Sequence, residues 1–118
     1  MKYSLINITK NNIVAENIII ADRFWPRMRG LMWKKELSNK EGLLLAPCNA
    51  VHMMFMRFPI DVLFLDRDFV VVKILDNLRP WRTSPFVHGA YQAVEINAGT
   101  AKIKEIYVGD ILSIAKVK

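Results

Sequence analysis

Cys48 and His52 form the first pair in this sequence whose side chains suggest chemistry. A thiol beside a histidine base is a nucleophilic arrangement, provided the two come within hydrogen-bond reach. On an extended strand, residues four apart share a face but lie about 13 Å from one another. Contact therefore needs a bend, which Pro47 and Asn49 permit without requiring. The alternative is a small buried thiol and a separately hydrogen-bonded histidine. Asp61 interrupts an otherwise apolar run, and an unpaired buried carboxylate would be costly, so it must have partners. These are either backbone N–H groups or Arg29 or Arg57, unless Asp61 stands at a pocket rim as a base or ligand contact. Glu95 shares a strand face with Tyr91 and Ala93, so it is either one half of a carboxylate pair with Asp61 or a salt-bridge partner of Arg29 or a lysine.

Met53, Met54 and Met56 adjoin His52, and Met28 and Met32 lie one helical turn apart. Thioethers of this kind can hold copper(I), but an apolar methionine stripe ordinarily fills a core. No metal or cofactor is assigned. Between Asp22 and Lys40, six basic residues stand against the acids Asp22 and Glu36, with Phe24, Trp25 and Trp33 interleaved. That mixture suits a nucleic-acid or anionic surface, although helical spacing would turn Phe24, Met28 and Leu31 to the core and leave the charges as a solvated face. Trp81, with Arg79 and Arg82 in a proline-bearing stretch, is a second place where an aromatic could meet a ligand.

The elements that must position these residues read mainly as strands. Tyr3 to Ile8 and Ile13 to Ala21 are rich in isoleucine and valine, and Lys10-Asn11-Asn12 between them predicts a hairpin. Arg23 to Leu37 has helical periodicity, with Pro26 acceptable in a first turn. Leu43 to Ala46 and Ala50 to Met56 read as short extended runs. Ile60 to Asp66, apolar on both faces, is expected to be a central strand. Asp66-Arg67-Asp68 then forms the polar tip of a hairpin leading into Phe69 to Leu75. Asn77 to Gly89 is the longest irregular connection and a candidate functional loop. Ala90 to Ile96, a helical turn in Gly99 to Ile106 and a strand from Ile111 to Val117 complete the chain. The expected fold is a β-rich α+β domain. It has about seven short strands in a mostly antiparallel or mixed sheet, curled or barrel-like, and one or two short helices.

With 118 residues, 53% of them hydrophobic, the chain can form one domain over residues 1–118 and has too much apolar material for disorder. No uncharged apolar run reaches bilayer-spanning length, and the first residues lack a signal-peptide pattern, so a cytoplasmic location is expected. A single cysteine excludes an internal disulfide and a tetra-cysteine zinc site. The net charge of +6 favours weak attraction to polyanions.

Arg29-Gly30-Leu31-Met32, Cys48 with Val51-His52, the run Met56-Arg57-Phe58-Pro59-Ile60-Asp61-Val62-Leu63-Phe64-Leu65-Asp66, Glu95 with Ala98-Gly99, and Gly109-Asp110 resemble the domain of unknown function 192 family. The resemblance runs in order from about position 27 to the C-terminus. It implies a small β-rich fold, in a family with exported and unexported members, of which this chain is similar to the latter. Met53 stands where a threonine is common after the histidine, the tip after Asp66 lacks the usual glycine, and Asn97 replaces a frequent proline.

Several polar residues set in apolar strands without a complete catalytic signature point to a non-enzymatic binding or accessory module. Its ligand, a small molecule or a protein, would meet some of Arg29, His52, Asp61, Trp81 and Glu95. A hydrolase using Cys48 with His52, or Asp61 with Glu95, is the enzymatic alternative. A nucleic-acid or anionic-surface binder working through residues 23–40 is the third reading.

Overall fold

The computed structural model describes residues 2–21, 37–38, 40–51, 53 and 56–117. The predicted helix over 23–37 and the candidate residues Arg29 and His52 lie outside them, apart from Leu37, a buried core residue.

Seven strands, β1 (Lys2–Asn7), β2 (Asn12–Ala21), β3 (Glu41–Leu45), β4 (Ile60–Leu65), β5 (Val71–Leu78), β6 (Gln92–Asn97) and β7 (Leu112–Val117), form one sheet in the order β5-β4-β6-β3-β2-β1-β7. Every pairing is antiparallel except β2 with β3, so the sheet is mixed, as the sequence predicts. Its two ends approach each other at one corner: Val70 bridges Ile111, and the Val71 N–H donates to the Asp110 carbonyl at 2.9 Å. The result is a curled half-barrel. One short helix, α1 (Thr100–Ile103), follows β6. Among the described residues, no helix is long and apolar enough to cross a membrane.

Both predicted hairpins are present. Asn11 takes the left-handed conformation in the β1–β2 turn, where Asn is well tolerated. At the β4–β5 tip the Asp66 side chain accepts the N–H groups of Asp68 and Val70. In the absence of a glycine there, Phe69 carries the positive φ of 64°. β4 is buried along its whole length, which explains its unbroken apolar character. It is an interior strand between β5 and β6, however, and β3 occupies the middle of the sheet.

Of the run Ala50 to Met56, the described residues Ala50, Val51, Met53 and Met56 belong to no sheet strand. Its apolar residues owe their character to packing: Val51, Met53 and Met56 join Leu43, Val62 and Phe64 in the core over one sheet face. The backbone groups of Val51 and Met53 bond to the loop after β5 instead of to a ladder. Met53 N–H donates to the Arg82 carbonyl, Trp81 N–H to the Met53 carbonyl and Ser84 N–H to the Val51 carbonyl. A second core, including Leu5, Ile18, Leu44, Leu63, Val94 and Ile96, fills the other face.

Gly42 in β3 sits where a Cβ would lie 2.6 Å from Ile18 Cδ1, 3.0 Å from Ile96 Cγ2 and 3.1 Å from the Glu95 carbonyl oxygen. The isoleucine methyls can shift, but the backbone oxygen cannot. Overpacking costs typically 1–3 kcal/mol, offset by roughly 0.5–1 kcal/mol from removing a strand glycine. Gly42→Ala is therefore expected to lower stability by about 1–2 kcal/mol in urea unfolding with an unchanged m-value.

Candidate functional site

β6 delivers Glu95 to the sheet face that the 48–53 segment and the following core residues cover. Its cross-strand partners are Leu43 on β3 and Val62 on β4, both buried in that core, and Ala93 lies two residues away on the same face. Alternation along a strand forces this placement once Ala93 faces inward. Glu95 itself retains 6% of its surface. Burial pushes its carboxyl up from 4.5 to about 7, because a low-dielectric setting penalises the charged form. Among the described residues, no hydrogen bond or ion pair to the carboxyl offsets that penalty. A group of this kind is neutral in mild acid and half-ionised near neutrality, able to donate, accept or ion-pair.

Asp61 is on the opposite face. Opposed residues in a ladder share a side, so Asp61 goes with Ile96 and Val62 goes with Glu95. The carboxylate pair considered from sequence is not formed, because the two strands are in register one residue out of step for it. Asp61 is fully buried, and its oxygens accept the N–H groups of Asn77 at 2.8 Å, Gly99 at 3.0 Å and Ala101 at 2.9 Å. It ties the start of β4 to the end of β5 and to the turn that opens α1. These are the backbone partners that the sequence reading offered as one alternative.

Cys48 is buried, and its thiol donates to the Ala50 carbonyl at 3.1 Å. It borders a shallow depression of about 420 Å³ lined also by Asn49, Arg67 and Tyr91, where the Arg67 guanidinium lies 4.0 Å from the Tyr91 ring centre. Met53 and Met56 are core residues, and no group of three His, Cys, Asp or Glu that could hold a metal occurs among the described residues. Trp81 is 60% exposed in the loop after β5. Of the five candidate ligand contacts, Glu95 and the Trp81 backbone thus belong to the same side of the sheet through Met53, while Asp61 belongs to the other.

A further polar centre escapes sequence reasoning. Asp110 accepts Asn7 Nδ2 at 2.9 Å, Lys10 Nζ at 2.9 Å and the Tyr107 N–H at 3.0 Å. Burial alone would raise its carboxyl, but the bonds from Asn7, Tyr107 and Lys10 outweigh it and hold the group below its usual range. Lys10 Nζ also lies 4.7 Å from the Tyr107 ring centre. The cluster locks the β1–β2 turn to the approach of β7, a structural role. Asn7 and Asp110 are 103 positions apart, so of this cluster only Gly109-Asp110, part of the family resemblance, stands out in the sequence.

The model of the domain of unknown function 192 (DUF192), an uncharacterized ACR, matches residues 6–114. The chain belongs to that family. Among curated relatives, a UPF0127 protein of Thermococcus sibiricus is 36% identical over 110 residues, covering 90% of this chain and 71% of that protein. A UPF0127 protein of Pyrococcus furiosus is 33% identical over 113 residues, covering 92% of this chain and 95% of that protein. A crystal structure of a protein of unknown function from Novosphingobium aromaticivorans shares the fold, with a TM-score of 0.81 and 24% identity over 94% of this chain and 82% of its own. The family match extends the resemblance seen from about position 27 back to residue 6, near the end of β1. It also encloses both Asp61 and Glu95.

Proposed function

We propose that this DUF192 domain is a binding module whose ligand contact is Glu95, not a hydrolase. One observation carries the reading: a carboxyl among Leu43, Val62 and Ala93, without a partner among the described residues, and not wholly sealed from solvent. Buried carboxylates are normally paired, so one left without a partner is a functional candidate whose burial supplies the physical rationale. The apolar surroundings and single polar group suit an apolar ligand, or an apolar protein side chain, bearing one ammonium or N–H donor. An ionised Glu95 would then gain the charge-assisted partner it lacks among the described residues. The hydrolase alternative built on two carboxylates loses its geometry, since Asp61 is committed to three backbone N–H groups across the sheet.

The test is a thermal-shift screen of small hydrophobic amines and their neutral isosteres at pH 8, where Glu95 is ionised. Amines are expected to raise the melting temperature of the native protein, neutral isosteres not, and Glu95→Leu is expected to abolish the response. Equal shifts in the native and Glu95→Leu proteins, or no amine that stabilises either, would overturn the proposal.

A further inference from the structure

The connection between β5 and β6 combines three features on its outer surface. From Asn77 to Val94 the chain contains no acidic residue, while Arg79, Arg82 and His88 are exposed. Two aromatic side chains project there, Trp81 at 60% exposure and Phe86 at 82%. The backbone that carries them is pinned: Trp81 N–H donates to the Met53 carbonyl at 2.7 Å, Met53 N–H to Arg82 at 2.7 Å, Ser84 N–H to Val51 at 2.8 Å and Val87 N–H to Asn49 at 2.9 Å. Trp81 adopts a left-handed φ of 67°, an uncommon and strained state for a bulky residue that persists only when its surroundings enforce it. The fold therefore holds Trp81, flanked in sequence by Arg79 and Arg82, in a strained backbone state with its side chain 60% exposed. Beside it, Leu75, Asp76, Leu78, Arg79, Arg82 and Thr83 border an open depression of about 410 Å³, where the two arginines outweigh the single acid, within the range of roughly 300–1,000 Å³ of small-ligand clefts.

We infer that this loop binds single-stranded nucleic acid, with Trp81 and Phe86 stacking on bases and Arg79 and Arg82 contacting phosphates. Aromatic faces interleaved with cations are the elements of sequence-tolerant single-strand binding, and each base stack contributes about 1–3 kcal/mol. An anionic bilayer is the less suitable partner, because membrane-surface segments present a continuous apolar face, whereas Arg82, Thr83, Ser84 and Pro85 separate the two aromatics. The site does not depend on Glu95, and it differs from the basic 23–40 segment that the sequence first suggested.

Fluorescence anisotropy of a labelled oligo(dT) of roughly 16 nucleotides, titrated with the full chain at several salt concentrations, tests this. Binding at low salt is expected, weaker for a duplex of equal length. Phe86→Ala, at a side chain too exposed to support the fold, and Trp81→Ala should each weaken binding by roughly 5- to 150-fold. Arg79→Ala with Arg82→Ala should reduce the slope of log affinity against log salt by about 1.4, the value for two phosphates on a single strand. Circular dichroism and the Glu95-dependent pH profile should be unchanged in all of these variants. The inference is overturned if the oligonucleotide does not bind at low ionic strength, if Phe86→Ala and Trp81→Ala both bind as tightly as the native chain, or if phosphatidylserine vesicles bind while the oligonucleotide does not.

Discussion

Thermal or urea unfolding followed from pH 5 to pH 8 is expected to show the native protein losing about 2–3 kcal/mol that a Glu95→Gln variant does not lose. The sign follows from proton binding. In the unfolded chain the Glu95 carboxyl titrates near 4.5, and in the folded protein burial pushes it up to about 7. Between those values the folded state holds the extra proton, so stability falls as pH rises. The contribution is fully present below about pH 4.5 and gone above about pH 7. Each pKa unit corresponds to about 1.36 kcal/mol, and most of the interval lies within the measured window. A glutamine side chain has nothing to titrate, so the variant's profile should lack this component, and the native-minus-variant difference isolates Glu95 from every other group. A flat difference across pH 5 to 8 would mean that the carboxyl is solvated or paired in the folded protein, and the binding reading would lose its support. A ligand ammonium would act in the opposite direction, by stabilising the ionised form, and should bind more tightly as the pH rises through 7.

The distinction between Glu95 and Asp61 also marks the limit of what a sequence discloses. Within one strand, alternation states that Glu95 goes with Ala93 and that Asp61 goes with Leu63, and both statements hold. Whether Asp61 and Glu95 share a face depends on the register between β4 and β6, whose paired residues, from Leu65 with Gln92 to Ile60 with Asn97, are 27 to 37 positions apart. No local pattern encodes that register. The hairpins were legible because their turn residues are local: Asn11 tolerates positive φ, and Asp66 caps its own tip through Asp68 and Val70. The segment Ala50 to Met56 misled for a related reason. Apolar content reports burial, not hydrogen-bond pattern, and Val51 and Met53 are buried beneath a loop that supplies their backbone partners. The neighbours of Asp110, Asn7 above all, are likewise set by the meeting of distant chain ends.

Asp61→Ala is expected to lower stability by about 4 kcal/mol, a larger loss than any removal at Glu95 would produce. Three N–H donors, from Asn77, Gly99 and Ala101, would lose their acceptor. Each such group left unsatisfied costs about 1–3 kcal/mol, with the higher values for fully buried sites and charged acceptors, and the Ala101 bond is buried while the other two are partly so. For a chain of this length that corresponds to a fall of roughly 15 °C in Tm. Asp61→Asn keeps one acceptor oxygen but turns an NH2 group toward backbone donors, so an intermediate loss of about 2 kcal/mol is expected. The pair of variants separates two roles that the sequence left open. A residue that holds the start of β4 to β5 and to the α1 turn must show the graded loss of stability, Ala worse than Asn. A carboxylate standing at a ligand rim would instead tolerate both changes in unfolding experiments and lose only binding. Because the unusual aspartate in the apolar strand is already fully engaged, the functional question passes to Glu95, one residue out of step on the neighbouring strand and on the other face.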